Sequence, residues 1–392
     1  MPGTGREATL KVEYRSLMSS LYIHIPFCLS KCPYCSFVSY PGMDKLYRRY
    51  VEALLREAQW LQQNTSVPPL STLFLGGGTP TILAGRELAE IISCCRELFA
   101  FSDQPEISIE ANPKTIDLEK LSLLRHSGIN RLSIGVQSFN DKELQLLGRP
   151  HSAEDAAETV RMARAAGFDN ISLDLMYGLP GQDHKSWRQT LEQAISLRPD
   201  HLSLYELTVE QGTPYHLRLH RGLLDLPDEE DMVIMDQLTA TLCQQGGLAQ
   251  YEISNYARPG YECRHNINYW QNGPYLALGA GAVGCVDGRR RQQTCDPRRY
   301  CEQIESGQSV VQEEECLERP ASFRETVIMG LRMSCGVSMA QLRQRYEMAP
   351  DDCYGDTLTR IVEQGLVEMT ASHLRLTARG RIFANQVMAE LV

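Results

Sequence analysis

Six strand-like runs, each followed by a helical pattern, constrain the fold of this chain more than any other feature. The runs cover residues 20–26, 72–75, 106–110, 131–136, 171–176 and 201–207, and each is short, largely apolar and bounded by polar or turn-forming residues. Residues 45–63, 86–100, 153–166 and 185–197 instead carry apolar side chains at three- and four-residue steps, with Gly or Pro near most of their ends. Such alternation calls for a parallel sheet with right-handed crossovers. Six units are too few to close an eight-fold barrel, so a partial (βα)6 barrel is predicted over residues 20–210. The units share architecture without a sequence repeat.

The chemically unusual residues fall at one end of this predicted barrel. Gly76-Gly77-Gly78-Thr79-Pro80 follows the second strand, Glu110 ends the third, Gln137 ends the fourth and Asp174 lies in the fifth. The C-terminal strand ends of parallel βα folds form the functional mouth. Cys28, Cys32 and Cys35 follow the first strand, so they join that mouth. Three cysteines are one short of the usual four for a four-iron cluster, which leaves one iron open to an outside ligand. Structural zinc is the competing reading, but it wants four Cys or His ligands in paired spacings. The next cysteines here are the adjacent Cys94 and Cys95, on a helical stretch.

Bulk properties narrow the function class. The chain has 392 residues, 43% of them hydrophobic and 22% charged, enough for a large globular domain and a smaller one. A net charge of −10 argues against a general nucleic-acid binder, which needs a basic surface to replace phosphate counterions. Thirteen cysteines, odd in number, scattered and preceded by no signal-peptide pattern, suit a reducing cytoplasm. No apolar run approaches the roughly 18–20 residues of a membrane span. Peripheral association with a membrane stays open.

Several motifs then act together: Tyr22-Ile-His24-Ile-Pro26-Phe27-Cys28, the cysteine triad, Gly-Gly-Gly-Thr-Pro at 76–80, Glu110-Ala-Asn-Pro, Gly135-Val-Gln137-Ser-Phe139, Leu147-Gly-Arg149-Pro-His151 and Asp174-Leu-Met-Tyr-Gly-Leu-Pro-Gly181. They resemble the oxygen-independent coproporphyrinogen III oxidase family of radical S-adenosylmethionine (SAM) proteins over most of the chain. The resemblance implies a radical SAM fold for the partial (βα)6 barrel, and the chain patterns beyond it read as a C-terminal α/β extension and a small winged-helix-like domain. It implies a [4Fe-4S] cluster on Cys28, Cys32 and Cys35, with SAM on the open iron and an electron donor for the cluster. Tyr22 would lie beside SAM, and Gly77, Gly78 and Thr79 would contact its methionine part. Glu110, Gln137, Arg149 and Asp174 would complete the pocket. The chemistry of the groups agrees. Carboxylates can accept from the SAM ammonium or ribose hydroxyls, and Arg149 can pair with its carboxylate. A surface salt bridge is the alternative for Arg149. His24 reads as a second-layer group, and Tyr22 and Phe27 could also serve packing alone.

Within that family the choice lies between oxidase and heme chaperone. Oxidases carry a fourth cysteine two residues after the triad, where this chain has Phe37, and a longer N-terminal extension than the residues 1–19 that precede the first strand here. Tyr251-Glu-Ile-Ser-Asn-Tyr-Ala-Arg-Pro-Gly260 followed by His265-Asn-Ile-Asn-Tyr269-Trp270 resembles the signature of the heme-chaperone branch. That branch binds heme and passes it to acceptor hemoproteins, respiratory and membrane-bound ones included. His265 can then be a heme ligand beside the flat faces of Tyr269 and Trp270, or a loop histidine capped by a backbone carbonyl. The expected function is that of a cytoplasmic radical SAM-type heme chaperone, with a coproporphyrinogen III oxidase as the alternative.

The rest of the chain reads as an extension, 211–319, and a C-terminal domain, 320–392. Arg289-Arg290-Arg291 is expected to be a solvated loop or hairpin end. Helical patterns at 324–332, 339–346 and 356–364 and a hairpin at 366–377 suggest a winged helix. The acidic run at 312–315 and the overall charge favour protein docking or a lid over DNA binding there.

Overall fold

The computed structural model describes residues 18–392; most of the N-terminal tail read as residues 1–19 lies outside them. Six parallel strands form the barrel: β1 (Ser19–Ile25), β2 (Leu70–Gly77), β3 (Phe101–Ala111), β4 (Arg131–Gln137), β5 (Ile171–Tyr177) and β6 (His201–Glu206). Helices α1 (Tyr47–Asn64), α2 (Gly85–Leu98), α3 (Leu118–His126), α4 (Ala153–Ala165) and α5 (His184–Ser196) follow the first five strands. After β6 come a short helix, α6 (Pro214–His220), and then α7 (Glu229–Gln245), which packs on α5 as the sixth long helix around the strands. It begins beyond residue 210, in the segment read as extension.

Two-residue alternation along the strands sorts the side chains into two faces. Leu21, Ile23, Leu73, Leu75, Ile107, Ile109, Leu132, Ile134, Leu173, Leu175, Leu202 and Leu204 are buried in the main hydrophobic core. The intervening positions put Tyr22, Phe74, Glu110, Arg131, Ser133, Asp174, Ser203 and Tyr205 around one cavity inside the barrel. The lumen is therefore polar, and the apolar face holds the helices.

The sheet does not stop at six strands. β7 (Ala249–Gln250) and β8 (Asn255–Ala257) add antiparallel at the β6 edge. At the other edge β9 (Tyr275–Leu278) pairs parallel with β1, followed antiparallel by β10 (Val283–Val286), β11 (Arg289–Gln293) and β12 (Val311–Cys316). Arg289-Arg290-Arg291 is not a loop but the start of a strand at a hairpin end, directly after the Asp287-Gly288 turn, with Arg289 and Arg291 exposed. Arg289 and Arg291 pair with Glu314, and Arg290 pairs with Glu315 and Glu325. Cross-strand partners of opposite charge explain why both runs are tolerated side by side.

Helix α8 (Arg264–Trp270) closes the lumen. Its first amides, those of Arg264 and His265, donate to the carboxylate of Glu106 on β3 at 2.9 and 3.1 Å, a charge well suited to a helix N-terminus. After α9 (Pro297–Glu305) comes a unit with its own core: α10 (Arg319–Leu331), α11 (Met339–Tyr346), α12 (Asp356–Glu363) and a three-stranded sheet, β13 (Val337–Ser338), β14 (Val367–Met369) and β15 (His373–Leu376), in the order β13-β15-β14. This is the winged-helix arrangement. Among the described residues no helix is long and apolar enough to cross a membrane.

Candidate functional site

The C-terminal ends of β1 to β5 assemble the site. Phe27-Cys28 pairs with Tyr40-Pro41, closing the cysteine loop at its base. Cys32 is buried, and Cys28 and Cys35 are half-buried. The Cys35 amide donates to the Cys32 carbonyl at 3.1 Å, and the Lys31 ammonium donates to the carbonyls of Phe37 and Ser39. Burial pushes the Cys28 and Cys35 thiols up, partly offset at Cys28 by the Thr79 hydroxyl. Coordination to a metal reverses that preference, because a bound cation deprotonates a thiol outright. Among the described residues no three or more His, Cys, Asp or Glu side chains are drawn together to hold a metal ion.

The turn after β2 is built around this loop. Gly77 has φ +112°, and a Cβ there would meet the His24 ring at 2.5 Å. A Cβ on Gly78 would stand 2.6 Å from the Phe27 carbonyl oxygen and 3.0 Å from Cys28 Sγ. The amides of Gly78 and Thr79 donate to the carbonyls of Ile25 and Phe27, and Thr79 Oγ1 lies 3.6 Å from Cys28 Sγ. Opposite, Arg149 Nη1 lies 3.7 Å from Cys32 Sγ and Nη2 donates to the Gly135 carbonyl at 2.6 Å. Its Nε is buried without a partner. This is not the surface salt bridge considered from sequence. Gln137 takes a left-handed φ of 69° at a register irregularity in β4, strain of the kind that re-aims a side chain at a functional rim.

Deeper in the barrel, Glu110 Oε2 accepts from the Gly77 amide at 3.1 Å. Burial, with Asp174 adding, raises its carboxyl to about 8. Asp174 accepts from Ser133 at 3.0 and 3.1 Å, and burial raises it too, against hydrogen bonds from Ser203 and Ser133. Arg131, nearly inaccessible to solvent, lines the same inner cavity of about 280 Å³ with Tyr22, Glu110, Asp174 and His265. An outer cleft of about 550 Å³ shares Tyr22, Glu110 and Tyr269 with it and adds Gly77, Phe37, Trp270 and Met329. Phe37 is 68% exposed at this cleft.

His265 is placed differently from both sequence readings. It sits on a helix, buried, with Nδ1 2.7 Å from Thr72 Oγ1 and Nε2 2.9 Å from Tyr269 Oη. Its ring stacks on Phe74. Burial, with Arg131 adding, lowers it to about 3. Side-chain hydroxyls hold it rather than a backbone carbonyl, and no ring nitrogen is left over for iron in this arrangement. His24 is similarly engaged by Tyr22 and the Val38 carbonyl. Sequence reasoning missed Arg131, Glu106 and Tyr205. Their signal was parity, since Arg131 shares a strand face with Ser133, and Glu106 with Glu110.

The comparisons with known proteins identify the family and the overall fold. A model of the radical SAM superfamily matches residues 22–194, and a HemN C-terminal domain model matches residues 317–383. The heme chaperone HemW of Bacillus subtilis is 37% identical over 371 residues, 94% of this chain and 98% of that protein. HemW of Escherichia coli is 34% identical over 94% of this chain and 97% of its own. The solved structure of the E. coli coproporphyrinogen III oxidase HemN, a radical SAM enzyme, superimposes with a TM-score of 0.83 at 27% identity, covering 96% of this chain and 90% of the other.

Proposed function

Because the chain belongs to the HemW family within the radical SAM superfamily, we propose that it is a heme chaperone, which binds a [4Fe-4S] cluster, SAM and heme and hands heme to acceptor hemoproteins. The observation that carries this reading is Phe37. By the family resemblance it stands where the oxidases carry a fourth cysteine, and its side chain is exposed at a cleft it shares with Tyr269 and Trp270.

The residues divide the work. Cys28, Cys32 and Cys35 would hold a [4Fe-4S] cluster through three of its irons, and such a cluster, when bound, would supply one-electron reduction of SAM. Gly77 and Gly78 let the turn pack directly on the His24 ring and on Phe27-Cys28, which sets Thr79 beside Cys28, where the turn would meet the methionine part of SAM. Arg149, with a buried Nε still to satisfy, is the cation for the SAM carboxylate. Glu110 and Asp174 are acceptors for its ammonium or ribose hydroxyls, Gln137 flanks them, and Tyr22 packs beside the ligand. The outer cleft, with Tyr269, Trp270 and Phe37, offers flat faces to a porphyrin. His265, held by Thr72 and Tyr269, positions Tyr269 at that cleft. The HemN likeness supports the second reading, porphyrinogen oxidation.

Anaerobic reconstitution separates the two. The protein should bind heme stoichiometrically and show a cluster EPR signal that SAM perturbs, while leaving coproporphyrinogen III unconverted under reducing conditions. Sustained formation of protoporphyrinogen would overturn the chaperone assignment in favour of the oxidase.

A further inference from the structure

Helix α6 carries two imidazoles that nothing described above uses. His216 and His220 stand at i and i+4, their ring centroids 4.4 Å apart and their planes at 77°. The two Nε2 atoms lie 3.1 Å from each other. His220 is exposed and His216 half-buried. Residues four apart are neighbours on one helix face, and paired histidines at that spacing are a metal-binding pattern. Two nitrogens bound to one ion at about 2.1 Å, at 90–110° to each other, sit about 3.0–3.4 Å apart. The observed separation falls inside that window. With both rings protonated on Nδ1, both Nε2 lone pairs are available to one ion at a point beside the helix, in place of the hydrogen bond that the two nitrogens share in the other tautomer. Arg218, two residues from each histidine, stands about 200° round the helix from either, so its charge projects away from that point.

We propose that His216 and His220 chelate a divalent late transition-metal ion, of the Zn²⁺, Ni²⁺ or Co²⁺ class, with water filling the remaining positions. Among the described residues no third ligand joins them, which suits an exchangeable site rather than a closed structural one. The ion has a structural consequence for the cysteine loop. α6 is seven residues long, too short to hold itself together, and a bidentate ion across its last turn stabilises it. Buried Tyr215, next to His216 in the first turn of the helix, donates its amide to the Pro33 carbonyl at 3.0 Å. Its ring packs 6.2 Å from that of Tyr34, and its hydroxyl donates to the Leu146 carbonyl at 2.7 Å. Pro33 and Tyr34 lie between Cys32 and Cys35, so the ion braces the segment that spaces two of the three thiols.

The test uses the full chain with its cluster reconstituted anaerobically, titrated with Ni²⁺ by calorimetry, beside His216→Gln and His220→Gln. The parent should bind one more Ni²⁺ per chain than either variant, or bind it at least tenfold more tightly, the other cysteines contributing equally to all three. Hydrogen exchange gives a second readout: Ni²⁺ should slow amide exchange in residues 213–222 and 32–35 of the parent alone. Identical titrations in all three proteins would overturn the site. Binding without slower exchange at 32–35 would overturn the bracing role.

Discussion

Glu110 shows how a single side chain couples the site to stability. Its carboxyl is buried in the lumen beside Asp174 and raised from an ordinary 4.5 to about 8, so the folded protein holds a proton that the unfolded chain releases. The stability from this group is therefore complete below about pH 4.5 and is lost as pH rises through about 8. Glu57, buried against Tyr300 and the Gly279 amide and raised by burial to about 7, acts in the same sense. Glu110→Gln keeps an acceptor for the Gly77 amide but cannot ionise. Denaturant unfolding of the cluster-free protein between pH 5 and 8 should show a shallower decline for the variant than for the parent, by up to about 1.4 kcal/mol per pH unit. The Glu57 contribution should remain in both. Equal slopes would mean that the Glu110 carboxyl is not protonated in the folded state.

At the scale of elements, the site is a contact between two turns, one after β1 and one after β2. Gly78→Ala should fold, at a cost of about 1–3 kcal/mol for an overpacked methyl, because the barrel strands themselves are untouched. Its Cβ would collide with the Phe27 carbonyl and crowd Cys28 Sγ, so iron and sulfide content after reconstitution should fall several-fold while the circular dichroism stays that of the parent. A variant with parental iron content would show that the turn does not shape the cysteine loop. These turns were legible in the sequence, since glycines and cysteines directly after strands announce themselves, and the six strands and four long helices were legible from period alone. β7 to β12 were not. They are two to six residues long, and the pairing that ties β9 to β1, Tyr275 against Ser20, lies beyond any local signal. The same holds for Arg290, whose partners on β12 and α10 convert a basic run into a paired strand. His265 was legible as a residue worth naming but not in its role, because Thr72 and Tyr269, which hold its two nitrogens, meet only in the folded barrel.

On the scale of the whole molecule, the C-terminal unit and the barrel communicate through residues 251–272. The Ile253 amide donates to the Arg332 carbonyl and the Ser334 amide to the Tyr251 carbonyl. Arg345 donates to the carbonyls of Gln271 and Asn272. The same segment reaches the lumen, since the Tyr251 hydroxyl meets His201 Nε2 at 2.8 Å and α8 rests on Glu106. Arg332 sits at the joint. Its guanidinium lies 4.5 Å from the Trp270 ring centroid and 3.8 Å from the buried Glu252 carboxylate, whose neutral form burial already favours. Arg332→Ala removes the cation from both, at a cost of about 1–3 kcal/mol, and frees Trp270 at the rim of the outer cleft. Among the described residues no hydrogen bond or ion pair joins Arg332, Trp270 or Glu252 to the cysteine loop or the Gly77 turn. If the outer cleft takes heme, the variant should release heme several-fold faster to apomyoglobin while keeping its iron content and the SAM-induced change in the cluster EPR signal. Loss of heme and cluster together would point to general unfolding. Unchanged heme release would place the heme site away from Trp270.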